Sequence, residues 1–219
     1  EGVNMRSELR VVNIAGGWVA YSPDAAAIQA RDTAIATIGN LKITAIDGLD
    51  IDVDRQTLRA RSVEVKRGDQ IIQGEDLFFE LSMGRGVIRK FGENGLERKY
   101  FTAYDLVDCL AAWDIPEGAF RSPEVESETW IVCDECKFFL GERIALKKPA
   151  LYAGEKRIMK LPPIWVIALS GYYGASNSQV LGLSSDGGLA VDLPFFYRVT
   201  NEWSGSFRIQ KGAGGSSFM

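Results

Sequence analysis

The sequence predicts an all-β chain of antiparallel strands, on three observations. Apolar and polar residues alternate over most of its length, which gives a strand one buried and one wet face. Glycine-bearing turns punctuate the alternating runs. A stretch over residues 43–60 is echoed at 71–89 with a period of 28 residues. At 219 residues, 46% hydrophobic and 25% charged, the chain has the make-up of one large or two small folded domains, which sets disorder aside.

In chain order, residues 22–28 (Ser22-Pro23-Asp24, then Ala25 to Ile28) have the make-up of a helix start, while 30–37 alternate; the alternation favours strand. Leu49, Ile51 and Val53 share one strand face, with Asp50, Asp52 and Asp54 on the other. A turn at Arg55-Gln56 leads into 58–60. Val63 and Val65 precede the turn Arg67-Gly68-Asp69-Gln70, whose glycine suits a positive φ, and Ile71-Ile72 leave it as the second arm of a hairpin. Leu77, Phe79 and Leu81 alternate with Phe78, Glu80 and Ser82 until Gly84 and Gly86 break the run. Tyr104, Val107, Asp108 and Ala111 fit helical spacing, with Thr102 as a cap, so one short helix fits there. Strands follow at 130–140, 142–146 and 150–153, with turns at Gly141 and Gly154.

The repeat sets Leu49, Ile51 and Val53 against Leu77, Phe79 and Leu81. A lone strand pair cannot bury its own apolar face, so stacked copies predict a solenoid-like or jelly-roll trough; unrelated hairpins are the plainer alternative.

Several chemistries drop out early. The sequence contains no histidine, which removes Ser-His-Asp and Cys-His nucleophiles and imidazole zinc sites. A net charge of −4 gives no basic field for nucleic acid. No apolar run reaches the ~18 residues of a transmembrane helix, whereas barrel strands of about 9–11 alternating residues stay open. The first six residues lack the basic start and apolar stretch of a signal peptide, which fits a mature, trimmed or cytosolic chain. Cys109, Cys133 and Cys136 contain one close pair; a metal site needs a second pair, leaving a disulfide or buried free thiols as the main readings.

The C-terminal part changes character. Leu189, Val191, Leu193, Phe195, Tyr197 and Val199 occupy one face of an alternating strand; after a Thr200-Asn201 turn, Trp203, Phe207 and Ile209 do the same. A soluble sandwich strand and a membrane-barrel strand both give this pattern; its length and aromatic ends favour the barrel.

These stretches together resemble the LptD family of outer-membrane lipopolysaccharide-assembly proteins, also called OstA or organic solvent tolerance proteins. The repeat over 43–89 is similar to the family's β-taco repeat. Residues 130–132, 144–152 and Met159-Lys160-Leu161-Pro162-Pro163-Ile164-Trp165 resemble the end of its periplasmic domain. Residues 182–197, with Gly187-Gly188 ahead of the alternating strand and Pro194-Phe195-Phe196-Tyr197 at its end, resemble the start of its barrel.

The resemblance implies a twisted antiparallel β-jelly roll, or β-taco, over residues 1–168 in the periplasm, and the first strands of an outer-membrane β-barrel over 169–219. A barrel of the family's size needs many more strands than this length supplies. It implies lipopolysaccharide transport and insertion into the outer membrane, with no catalysis and no cofactor. Acyl chains would lie in an apolar trough lined by Leu49, Ile51, Val53, Val63, Val65, Leu77, Phe79, Leu81, Ile144 and Leu146. Leu193, Phe195, Tyr197, Trp203, Phe207 and Ile209 would face the membrane. The implied partners are lipopolysaccharide, a periplasmic bridge protein joined by edge-strand pairing, an outer-membrane lipoprotein plug and the outer membrane itself, with no nucleic acid.

A second reading is a soluble β-sandwich or solenoid module binding glycans or proteins, with Trp113, Trp130 and Trp165 as a sugar platform. A third is a carboxylate-pair glycosidase drawing on Asp50, Asp52, Asp54, Glu124 and Glu126, set against a plain solvated strand face for the same residues.

Overall fold

The computed structural model describes residues 10–93, 95–106, 112–121, 125, 127, 129–169, 181–183, 189–198, 204–212 and 215–218, with side chains as far as residue 169. Among the described residues the elements are antiparallel strands apart from one 3-10 turn at Glu117–Phe120, in keeping with the predicted class. The chain divides into two compact units, residues 1–165 and 166–219.

The first unit opens with β1 (Val11–Ser22), β2 (Ala27–Arg31), β3 (Ala34–Ile38), β4 (Leu41–Ala45), β5 (Leu49–Asp52) and β6 (Thr57–Arg67). It continues through β7 (Gln70–Glu80), β8 (Arg85–Gly92) and β9 (Gly95–Thr102). It returns through β10 (Thr129–Phe139), β11 (Arg143–Lys147), β12 (Ala150–Ala153) and β13 (Lys156–Lys160), with β14 (Ile164–Ala168) at the unit boundary. Its main path runs β13-β12-β10-β1-β2-β5-β6-β7-β8-β9, closed in the middle by the distant pair β1 and β10.

A crease crosses these strands and divides the sheet into two layers. On one side β1 pairs with β3 and the later half of β6 with β4; on the other, β1 pairs with β2 and the early half of β6 with β5. The sequence marks each crossing. In β1, Gly16 to Trp18 stand opposite Asp134 alone, and a Cβ on Gly17 would lie 2.7 Å from the Asp32 Cβ. Between β2 and β3, Asp32 and Thr33 take φ +58° and +61°; in β6, Ser62 takes φ +51°. Such backbone costs energy for a side-chain-bearing residue and is held by its surroundings. Here Gly17 N–H donates to the Asp32 carbonyl at 3.1 Å and Ile46 N–H to that of Ser62 at 3.1 Å.

The break at Ser62 also shifts strand parity. Leu58 and Ala60 are buried before it and Val63 and Val65 after it. The same shift in β10 buries Ile131 and Cys133 on one side of the crease and Cys136 and Phe138 on the other. The close cysteine pair is thus two core positions separated by a crease. Both are free thiols.

The region 22–37 forms strand, as the alternation predicts, interrupted at the crease. The Ser22 hydroxyl accepts the Ala25 N–H at 3.2 Å, closing a turn where a helix start was the competing reading. At 102–106 the Thr102 hydroxyl accepts the N–H groups of Tyr104 (3.3 Å) and Asp105 (3.0 Å), the pattern of a cap, and Thr102 N–H donates to the Asp105 carbonyl at 2.9 Å. Val107, Asp108, Cys109 and Ala111 lie outside the described residues.

The 28-residue period corresponds to one outward and one return pass. Leu49, Ala60 and Leu77 are consecutive cross-strand partners, and so are Ile51, Leu58 and Phe79. Before the crease the equivalence slips by one residue, because Ile43 aligns through Val65 with Ile72 rather than Ile71. The extra residue is taken up by the Ile46-Asp47-Gly48 excursion, where Ile46 is exposed and Gly48 has φ +112°.

The second unit is an antiparallel meander of β15 (Leu181–Leu183), β16 (Leu189–Arg198), β17 (Ser204–Gly212) and β18 (Gly215–Phe218), in that order. Its register opposes Leu193 to Ile209, Phe195 to Phe207 and Tyr197 to Gly205. Trp203 lies outside the described residues.

Candidate functional site

The ten residues predicted to line a trough are all in the first unit and all buried, none more than 4% exposed. They fall into continuous cross-strand rows. In one layer a row runs Tyr21, Ile28, Ile51, Leu58, Phe79, Gly86, Phe101; in the other, Ile144, Phe138, Val12, Ile38, Leu41. Leu146, Cys136, Ile14, Ala36, Ile43, Val65 and Ile72 make the next row of that second layer. Each row is buried almost throughout, so the two layers bury their apolar faces in the manner of packed sheets. At the centre Phe79 and Phe101 pack with ring centroids 5.8 Å apart, and Gly86 leaves the room they occupy: a Cβ there would lie 2.6 Å from the Phe79 ring.

The β7–β8 ladder stops short at one end. The bonds from β7 to β6 continue to Gln70, but those to β8 cover only Asp76 to Glu80. The tip of the β8–β9 hairpin therefore stands away from the start of β7, leaving a gap of about 390 Å³ lined by Ile71, Ile72, Gln73, Lys90 and Lys99. Ile71, in its lining, is 50% exposed, and Phe91 and Leu96, paired near the hairpin tip, are 63% and 43% exposed. Ile72, in the lining, is also the last member of an interior row.

The opposite face of β6–β8 carries chemistry that parity alone did not foresee. Phe78, next to Phe79 but pointing outward, is buried with Val87 beneath Ile115, Ala119 and Phe120. The segment 112–121 is fastened there by arginines. Arg59 donates from Nε to the Ala119 carbonyl at 2.6 Å, Arg89 lies 3.8 Å over the Phe120 ring, and Arg85 lies 4.7 Å over Trp113. Arg89 is also paired to Asp76 at 2.6 Å and Arg85 to Glu80. Arg59 is 8% exposed with Nη1 unpartnered, and burial pushes its pKa below the ordinary value. Sequence signals for this cover existed in the polar-face positions Arg59, Arg85 and Arg89, but its other half comes from a segment without periodicity.

The remaining sequence candidates separate. Asp50 is not on a solvated face: it is 5% exposed and accepts from Arg31 Nη2, on the neighbouring strand β2, at 2.6 Å. Asp52 caps a turn, accepting the Arg55 N–H at 2.8 Å. Glu124 and Glu126 lie outside the described residues. The three tryptophans do not share a platform: Trp113 packs on Tyr100, Trp130 packs on Trp18 and donates to the Ser127 carbonyl at 3.1 Å, and Trp165 is buried. The Cys133 thiol is pushed up to about 12 by burial and then by Asp134 and Glu135, and Cys136 well above its ordinary value by burial, so neither supplies a thiolate near neutrality.

No family model matches the chain, and no curated protein matches it. Among solved structures the chain is similar to LptH, the LptA-homologous periplasmic component of the lipopolysaccharide transport device of Pseudomonas aeruginosa. That similarity has 9% identity and a TM-score of 0.36, and covers 74% of this chain and 97% of that one.

Proposed function

We propose that the chain is a lipopolysaccharide carrier of the periplasm and outer membrane, and that its first unit holds acyl chains between its two layers. The observation that carries this reading is the set of continuous apolar rows on the facing sides of the two layers, in which all ten of the predicted residues are buried. Each acyl methylene moved from water into such an interior gains about 0.8 kcal/mol, so a chain of a dozen carbons repays a substantial parting of the layers. In this reading Leu49, Ile51, Val53, Val63, Val65, Leu77, Phe79, Leu81, Ile144 and Leu146 contact acyl chains when the layers part, while the sugar headgroup stays outside.

Two outer strands of the sheet, β9 and β13, offer main-chain edges to a bridge protein's strand. The register of β16 with β17 supports a membrane role for Leu193, Phe195, Phe207 and Ile209, which oppose one another in pairs; Tyr197 and Trp203 belong to the same proposed face. The second unit, with a lipoprotein plug as its partner, would begin the outer-membrane barrel.

The test is site-specific photo-crosslinking. Probes at Phe79 and Val53 should capture acyl lipid, whereas probes at Asp52 and Glu80 should not; equal capture at all four positions rejects an interior path. For the second unit, a cysteine at Phe207 in intact membranes should react with a lipid-soluble reagent in preference to a water-soluble one. Protection from both reagents would mean a protein core and defeat the barrel assignment.

A further inference from the structure

Where the crease crosses β1 and β10, the first unit carries a cleft of about 610 Å³, well apart in sequence from the β7–β9 gap and within the usual range for a small-molecule site. Gly16 and Gly17 form one wall without side chains, and the Lys148-Pro149 corner and Leu161 to Pro163 form another. The corner is fixed: Lys148, at φ +49°, donates its N–H to the Pro163 carbonyl at 2.7 Å, and Leu161 N–H donates to that of Pro149 at 3.0 Å. Two aromatic side chains, Trp18 and Tyr152, line the cleft, and Trp18 is braced by Trp130 with ring centroids 6.0 Å apart.

The charges in the lining are unequal. Lys148, Arg157 and Lys160 are set against a single carboxylate, Asp134, which holds Lys148 at 3.0 Å. Both members of that pair are exposed, so the bridge adds little stability, but it occupies one cation and leaves Arg157 and Lys160 directed at the cleft rim. Aromatic faces with cations at the edge complement a ligand with an apolar C–H face and an anionic substituent. A pyranose bearing a phosphate has both. Neither inorganic phosphate nor a neutral sugar satisfies both halves.

We propose that this crease cleft binds a phosphorylated sugar, with the ring against Trp18 and Tyr152, the phosphate on Arg157 and Lys160, and Asp134 as a resident competitor for Lys148. The inference rests on the cleft alone and not on the acyl-chain reading, since the probe that tests it has no acyl chain.

The experiment is calorimetric titration of the full chain with glucose 6-phosphate, glucose and inorganic phosphate at low salt. Glucose 6-phosphate should bind at least tenfold more tightly than either fragment. Arg157→Gln and Lys160→Gln, both on the exposed strand β13, should each weaken it about fivefold to tenfold, and Tyr152→Ala should bring it down to the affinity of inorganic phosphate. Asp134→Asn should strengthen it about threefold, by freeing Lys148 and removing a repulsive charge. Equal binding of phosphate and glucose 6-phosphate to the wild-type and Tyr152→Ala proteins means an adventitious ion only and overturns the proposal. Binding unmoved by Arg157→Gln and Lys160→Gln also overturns it, as does the absence of saturable binding. The source of the sugar is read with phosphatidylcholine vesicles containing monophosphoryl lipid A. Recruitment that glucose 6-phosphate displaces identifies a lipid headgroup, and binding of glucose 6-phosphate without recruitment identifies a soluble sugar phosphate.

Discussion

The two sides of β6–β8 are both buried, yet they are built from opposite materials. Inward, Leu58, Leu77, Phe79 and Ile88 pack in rows without a hydrogen bond among their side chains. Outward, Arg59, Phe78 and Val87 lie beneath residues 112–121, held by a guanidinium on the Ala119 carbonyl and by arginine–aromatic stacking. Burial of apolar surface is non-directional, so the inner side tolerates a change of partners; hydrogen bonds and stacked cations have fixed geometry, so the outer side does not. The proposed carrier role would draw on that division. In that role the interior would exchange its own packing for that of a guest while the outer cover keeps the strands in register.

Substitutions sharpen or break this contrast. The largest effect should come from Phe79→Ala, which empties the centre of the interior against Phe101 and should cost about 3–5 kcal/mol in denaturant unfolding. If bound lipid fills the space, detergent or lipid should restore part of that loss; no restoration would count against an adaptable interior. Next comes Gly74→Ala. A Cβ there would stand 2.1 Å from Ile88 Cγ2 and 2.6 Å from the Arg89 carbonyl oxygen, and the forced shift at the crease should cost about 1–3 kcal/mol in the same measurement.

Arg59→Met should have a smaller and more local effect. It removes the bond to Ala119 together with a buried nitrogen that has no partner, so global stability should change by about 1 kcal/mol or less. Amide exchange at 118–121 should nevertheless accelerate, while exchange in Leu58 and Phe79 stays slow. Uniform acceleration across both faces would erase the distinction between them.

Alkaline pH acts on the buried thiols of the interior. Burial raises the pKa of Cys133, Cys136 and Tyr21, so each is neutral in the folded chain. Above the ordinary thiol value of 9.0, the unfolded chain gives up protons that the folded chain retains. Stability contributed by the neutral Cys133 is therefore complete below about pH 9 and is lost as pH rises toward about 12. Unfolding titrations should show that decline, and Cys133→Ala should flatten it.

The smallest effect is expected at the exposed pair Lys147–Glu135, 3.0 Å apart, where Lys147→Gln should change stability by less than about 0.5 kcal/mol.

The interior was legible in the sequence because its rule is local. Period-two alternation around Leu49–Val53 and Leu77–Leu81 needs no knowledge of partners, and every residue chosen that way is buried. The outer cover was not legible, because Phe78, Arg59 and Asp50 occupy positions that alternation assigns to solvent and are covered by partners remote in sequence. Asp50 shows this most plainly: its charge reads as exposed until Arg31, on a neighbouring strand, is placed 2.6 Å away. The crease was hidden for another reason. Ser62, Asp32 and Thr33 adopt positive φ without being glycine, so their identity announces nothing. The cations at the crease cleft, Arg157 and Lys160, likewise carry no spacing that separates them from ordinary surface charge.

The crease also makes the outward-and-return pass a unit of length. Since Leu49, Ala60 and Leu77 follow one another across the sheet, removing or duplicating one complete pass would leave the alignment of every other strand intact, whereas a change of half a pass would reverse the direction of everything after it. Insertions and deletions of whole laps are therefore the neutral way for this architecture to change its span. The distance between its ends is counted in laps rather than residues, as in a ladder lengthened by rungs.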